Sequence, residues 1–180
     1  MSAGIEIKKS KDLGTKPETS KIVLENAANR LMLASNSGRK KVNLTGHYLG
    51  LRATRGRPVR LTELVREGLP FRSIEVLASE LKIPASEFIK EYMDISRATA
   101  NRRRKAGHLS TDESDKAVRY ARLMEKATEL MEGDEVSARK WLLSPLPVLD
   151  GESPLEHART EAGAHEVETI IGRLEYGIFS

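Results

Sequence analysis

The chain has 180 residues, 39% of them apolar and 31% charged, with eight aromatic residues and no cysteine. Such a composition allows one or two small domains with a modest core and favours helices over sheet. It excludes disulfides and cysteine-ligated zinc. The formal net charge of +4 is unevenly spread: +8 over residues 1–58, −2 over 59–94, +5 over 95–109 and −7 over 110–180. A basic front neutralises phosphates and an acidic back is repelled by them, so two kinds of partner are expected. No run approaches the roughly 18 consecutive apolar residues of a membrane span. The N-terminal "MSAGIEIKKSKD" lacks the apolar core of a signal peptide. A soluble, cytoplasmic protein without a membrane partner is the expectation.

Residues 1–17 are polar and lysine-rich without a period and read as a mobile arm. Residues 19–35 read as one helix, anchored by Ile22, Leu24, Leu31 and Met32. "GLRATRGRPVR", residues 50–60, reads as an extended basic connector because Gly56 and Pro58 break regular structure. Its "RGRP" resembles the core of an AT-hook, in which Arg55 and Arg57 would enter a narrow minor groove. The plainer reading is a basic linker. Residues 1–58 are taken as an N-terminal extension.

A helical series follows. "RLTELVREG" places Leu61, Leu64 and Val65 on one face and stops at Gly68. "FRSIEVLASELK" repeats the pattern with Ile74, Leu77, Ala78 and Leu81. Pro84 suits the first turn of a helix taken as 84–93, where its missing N–H costs nothing. The helix it opens would bury Phe88, Ile89, Tyr92 and Met93. Asp94 and Ile95 make a short turn, and Ser96 is a candidate N-cap.

"DISRATANRRRKAGHLS" carries Arg97, Arg102, Arg103, Arg104 and Lys105 within nine residues and no acid among them. Two short helices, 84–93 and 96–106, joined by a tight turn, match a helix-turn-helix. At about 100° per residue, Ala100 faces the body while Arg97, Asn101, Arg102 and Lys105 face outward, as a recognition helix requires. Arginine bridges guanine O6/N7 and asparagine bridges adenine N6/N7. The Ser96 hydroxyl, with the first backbone N–H groups, would hold a phosphate. A solvated basic helix face is the bland alternative. Asp94 stands where this turn often has glycine, and aspartate enters left-handed geometry at some cost.

"STDE", residues 110–113, has capping-box spacing and opens the longest helix, to about residue 131, with Ala117, Tyr120, Met124, Ala127 and Met131 as its seam. The helix-turn-helix domain is taken as 59–131 and a second helical domain as 132–180. "EVSARKWLLS" is a further helix ended by Pro145, with Trp141 read as core. "SPLE", residues 153–156, is a second capping box with Pro154 at the first helical position. The last helix is expected to run from Gly163 towards Gly177, with Val167, Ile170, Ile171 and Leu174 inward. Ile178 and Phe179 lie beyond it, to dock on the parent domain or in a partner. No period-two alternation occurs, so the expected class is all-α. His157, Glu161 and His165 make a poor zinc set, and no phosphate loop, dinucleotide fingerprint or nucleophile elbow is present. No enzymatic activity, cofactor or metal is expected.

Trp141-Leu142, a proline-rich break, Leu149-x-Gly151-x-Ser153-Pro154-Leu155, Thr160, Gly163 and a terminal "RLEYGIFS" resemble the C-terminal domain of the MbcA/ParS/Xre antitoxins. The preceding recognition helix, Leu-Ser-x-x-Glu-Ser-Asp run and Arg-x-Ala-Arg helix resemble the Xre-type helix-turn-helix of that family. The resemblance covers residues 60–180. It implies an antitoxin of a type II module that neutralises a RES-domain toxin consuming NAD or using it for ADP-ribosylation. It also implies a homodimer that binds its own operator DNA. The chain's end would enter the toxin's cleft, which assigns toxin contact to Arg173, Tyr176, Gly177, Ile178, Phe179 and Ser180. A stand-alone helix-turn-helix regulator with a C-terminal dimerisation domain is the alternative, and a basic nucleoid-type protein relying on residues 1–58 is a third.

Overall fold

A computed structural model of the chain describes residues 44–51 and 60–177, and every regular element among them is helical. The one extended pairing there is an isolated bridge between Pro70 and His108. The class is all-α. The arm at 1–17, the helix read at 19–35 and the "RGRP" segment lie outside the described residues.

Helix α1 is Leu44–Tyr48, α2 is Leu61–Glu67 and α3 is Arg72–Leu81. Gly68 ends α2 at φ 92°, donating its N–H to the Val65 carbonyl, and a Cβ there would lie 2.2 Å from the Leu109 carbonyl oxygen. Glycine is therefore required twice, by conformation and by close approach. Ile74, Leu77, Ala78 and Leu81 of α3 are buried, as their spacing implies.

Helix α4, Ala85–Glu87, runs directly into a π-helical turn at Phe88–Tyr92. Pro84 is its N-cap, with ψ at 130°, and not its first helical residue as the sequence implied. The Met93 N–H donates to the Phe88 carbonyl, five residues back. That wider turn brings Phe88, Ile89 and Met93 into the core and leaves Tyr92 half-buried. Asp94 follows at φ 54°, the left-handed turn residue, and Ile95 is buried. Helix α5 is Arg97–Ala106.

Helix α6, Thr111–Leu130, opens on a complete capping box: Ser110 Oγ accepts from Glu113 N–H, and the Glu113 carboxylate accepts from Ser110 N–H at 2.7 Å. Its buried stripe includes Ser114, Ala117, Tyr120, Leu123, Met124, Ala127 and Thr128. Helices α1, α2 and α3 pack against it, so α6 is the central spine. Ser114 Oγ accepts from the Leu69 N–H at 2.9 Å and donates to the Ser110 carbonyl, so a fully buried hydroxyl satisfies an otherwise orphaned amide.

After a turn through Glu132 and Gly133, both at positive φ, Asp134 caps α7, Glu135–Leu143, by accepting from Val136 and Ser137 N–H. A 3₁₀ turn, Pro147–Leu149, and α8, Pro154–His157, follow; the Ser153/Glu156 capping box and Pro154 at the first turn are both present. Helix α9 is Glu161–Glu175, capped by Thr160, whose side chain accepts from Gly163 N–H. It begins two residues before Gly163. A Cβ at Gly163 would meet the His157 carbonyl oxygen at 2.0 Å, so this glycine permits a close approach and does not start the helix. Both α7 and α9 also pack on α6.

Two further expectations are corrected. Trp141 is half-buried and packs at the core's edge, while Leu142 takes the enclosed position. Residues 44–51, assigned to the extension, belong to the main unit, which runs from Val42 to Ser180. Tyr48 and Leu49 are fully buried, and the Tyr48 hydroxyl stands 3.0 Å from Thr128 Oγ1 of α6. A five-residue helix containing glycine is too short to show a period, and its order comes from tertiary burial.

Candidate functional site

Helix α5 is fastened before it is displayed. Ser96 caps it, its Oγ accepting from the Thr99 N–H at 3.2 Å and donating to Thr99 Oγ1 at 3.1 Å. That hydroxyl hydrogen is spent inside the cap, so the phosphate-holding role read for Ser96 requires a rotation of its hydroxyl. Ala100 is buried against the body. Arg103 Nε lies 2.7 Å from Glu113 of α6, although the alignment there is too poor for a good hydrogen bond. Burial pushes the Glu113 carboxyl up, but the Ser110 N–H and the Arg103 guanidinium outweigh it and hold Glu113 below the usual carboxylate range. Arg104 reaches Glu75 of α3 at 3.1 Å and lies over the Phe71 ring, 4.8 Å from its centroid.

These two arginines are anchors. Arg97, Asn101, Arg102 and Lys105 are exposed, and none makes a side-chain ion pair or hydrogen bond with the described residues. The turn before α5 is held from behind: the Tyr120 hydroxyl donates to the Tyr92 carbonyl at 3.0 Å, and Lys116 Nζ donates to the Met93 carbonyl at 3.2 Å. Tyr120 packs edge-on against Phe88 and Tyr92, and burial pushes its phenol up to about 12. It stays a neutral donor throughout the physiological range. Arg103 and Arg104 had no local signal as anchors, because Glu113 and Glu75 lie 10 and 29 residues away in sequence.

The acidic half is tied to the same spine. Arg119 of α6 holds Glu161 at 2.7 Å and the Arg159 carbonyl at 3.0 Å, and Arg122 holds Glu161 at 3.2 Å and Glu168 at 2.6 Å. The Arg119 hydrogen bond is the main reason Glu161 titrates below its usual range. These contacts give the Arg-x-Ala-Arg motif a role that its spacing did not reveal. His157, weighed as a metal ligand, is instead bracketed by carboxylates, with Nδ1 2.7 Å from Glu152 and Nε2 2.8 Å from Glu166. At the end of α9, Arg173 and Tyr176 are exposed, and Gly177 turns the chain at φ 65°. Ile178, Phe179 and Ser180 lie outside the described residues, as do Arg55 and Arg57.

A helix pair joined by a left-handed turn, its second helix capped by Ser96 and presenting unpaired cations from an all-α body, defines a helix-turn-helix DNA-binding protein with an added acidic helical module. Comparison with known families agrees. Residues 60–122 match the antitoxin Xre-like helix-turn-helix domain, and residues 126–177 match the antitoxin Xre/MbcA/ParS C-terminal toxin-binding domain. An antitoxin Xre of Yersinia enterocolitica is 34% identical over 132 residues, covering 73% of this chain and 88% of its own. An antitoxin Xre of Photorhabdus laumondii is 29% identical over 120 residues, covering 67% of this chain and 81% of its own. The chain belongs to the Xre family of antitoxins. The junction between the two matched domains falls inside the unbroken helix α6.

Proposed function

We propose that this antitoxin neutralises a RES-domain toxin, one that consumes NAD or uses it for ADP-ribosylation, by obstructing the toxin's active-site cleft. It represses its own operon as a cytoplasmic homodimer, without a catalytic step of its own. The end of α9 supplies the obstruction through Arg173, Tyr176, Gly177, Ile178, Phe179 and Ser180. Tyr176, at 78% exposure the least covered large apolar side chain among the described residues, carries this reading. Operator contact falls to Arg97, Asn101, Arg102 and Lys105, with Ser96 at the helix start. Arg55 and Arg57 are the minor-groove candidates of the connector. Paired half-sites on the operator would mirror a two-fold dimer. In domain terms, residues 59–131 read DNA and residues 132–180 grip the toxin.

The test is truncation after Leu174. Neutralisation of the co-expressed toxin, scored as restored growth, is expected to vanish while operator affinity is kept. Full neutralisation by the truncated chain would overturn the obstruction.

A further inference from the structure

The large apolar side chains left exposed among the described residues are Val136, Leu143, Val148 and Tyr176, and all four fall within 126–177, the toxin-binding match. Tyr176 belongs to the site already proposed. The other three lie on α7 and the 3₁₀ turn after it. Helix α7 buries Ala138 and Leu142 completely. Val136, Lys140 and Leu143, spaced by four and three, form a stripe nearly opposite that buried face. Val136 is 68% exposed and Val148 66% exposed. The Lys140 side chain is exposed and makes no ion pair or hydrogen bond with the described residues.

We propose that Val136, Lys140 and Leu143, with Val148, form a second docking surface for the toxin, separate from the end of α9. This rests on the toxin-binding reading above and adds a contact area to it. The surface partner is apolar with a carboxylate set to meet Lys140.

Three observations select that occupant. DNA is a poor one, because the segment from 110 onward carries a net charge of −7 and the stripe offers one cation among apolar side chains. A second copy of the chain is a poor one too. Packing the stripe on itself with the two-fold axis through its midpoint sets Lys140 against its own counterpart, because a residue on the axis of such an interface meets its own copy. A different protein with an acid at that point removes the repulsion. The toxin is the protein partner that the matched domain binds, and the stripe lies inside that domain.

The test uses the full chain and the product of the reading frame next to its own, co-expressed and purified as a complex. Val136→Glu with Val148→Glu is expected to weaken toxin affinity about tenfold or more, with the thermal midpoint and operator affinity unchanged. Lys140→Glu is expected to weaken it as well, and Lys140→Arg to retain it. Unchanged toxin affinity in the Val136→Glu, Val148→Glu chain overturns the proposal. So does a change in the antitoxin's own oligomeric state with toxin affinity intact, which would assign the face to a second copy. Truncation after Leu174 separates the two readings. If truncation weakens binding and the α7 variants do not, this surface fails and the obstruction stands. If the α7 variants weaken binding and the chain truncated after Leu174 still neutralises the toxin fully, the obstruction fails and this surface stands.

Discussion

Arg102 and Arg103 are adjacent and chemically identical, yet one projects into solvent and the other is three-quarters covered against Glu113. The helical period is enough to sort them: it places Arg97, Asn101, Arg102 and Lys105 on the outward face and Ala100 on the inward one. What spacing does not reveal is that Arg103 and Arg104 are held by α6 and α3, since those pairings exist only once the chain has folded. Arg97→Ala with Arg102→Ala is expected to reduce the slope of log affinity against log salt by about 0.9 for each phosphate left without its cation. Operator titrations by fluorescence anisotropy at several salt concentrations read this directly, and an unchanged slope excludes both side chains from the phosphates. Arg103→Ala is expected to lower the melting temperature instead, because it unties α5 from α6. His157 supports a prediction about pH. Hydrogen bonds to Glu166 and then Glu152 raise its pKa above the ordinary value. A raised folded-state pKa means that the stabilisation is complete below the unfolded value of about 6.5 and fades as pH climbs through the folded value. The wild type is therefore expected to lose its stability advantage over His157→Gln as pH rises from about 6 through neutrality. Both carboxylates are more than half exposed, so the advantage is about 1 kcal/mol or less. Parallel denaturant curves that keep a constant gap across that range would contradict the bracketing.

At the level of elements, helices announced by caps are legible in the sequence and helices held by contacts are not. The Ser110/Glu113 and Ser153/Glu156 boxes locate α6 and α8 because the cap and its reciprocal acid sit three residues apart in sequence. The π turn at Phe88–Tyr92 has no such signal. Its apolar residues fit an ordinary helix equally well, and the packing partner of Phe88, the Tyr120 ring set edge-on to it, lies 32 residues away in sequence. Helix α1 is hidden by its shortness, and the start of α9 is masked by a glycine that looks like a boundary and is a close approach. Between α6 and α9 the Arg119 and Arg122 pairs tie the spine to the helix whose end is proposed to meet the toxin. Arg122 and Glu168 are expected to couple by about 0.5–1 kcal/mol in a double-mutant cycle of Arg122→Met and Glu168→Gln. A coupling energy of zero in urea unfolding would reduce the pair to an incidental surface contact.

At the scale of the whole molecule, two domain families meet in a body with one core. The buried cluster runs without interruption from Tyr48 and Leu49 through Phe88 and Tyr120 to Val167 and Ile171. The family matches end at 122 and begin at 126, yet the packing treats α6 as a shared spine: Leu123, Met124 and Ala127 are fully buried on its second half. Calorimetry of the toxin-free chain is expected to show a single cooperative transition for the unit from Val42 to Ser180, with no separate melting of a DNA-reading half. A fragment spanning residues 60–122 lacks α1, α7, α9 and the second half of the spine. It is expected to lose cooperative folding, because the faces of α3 and α6 that those elements cover would stand in water. Two resolved transitions, or a fragment that melts as sharply as the full chain, would show that the halves are stable on their own. The consequence of a single unit is thermodynamic. A toxin that binds the acidic half stabilises the folded state by mass action, and the recognition helix is part of that same state. Toxin binding is therefore expected to raise the melting temperature seen by a probe on α5 as much as that seen by a probe on α9.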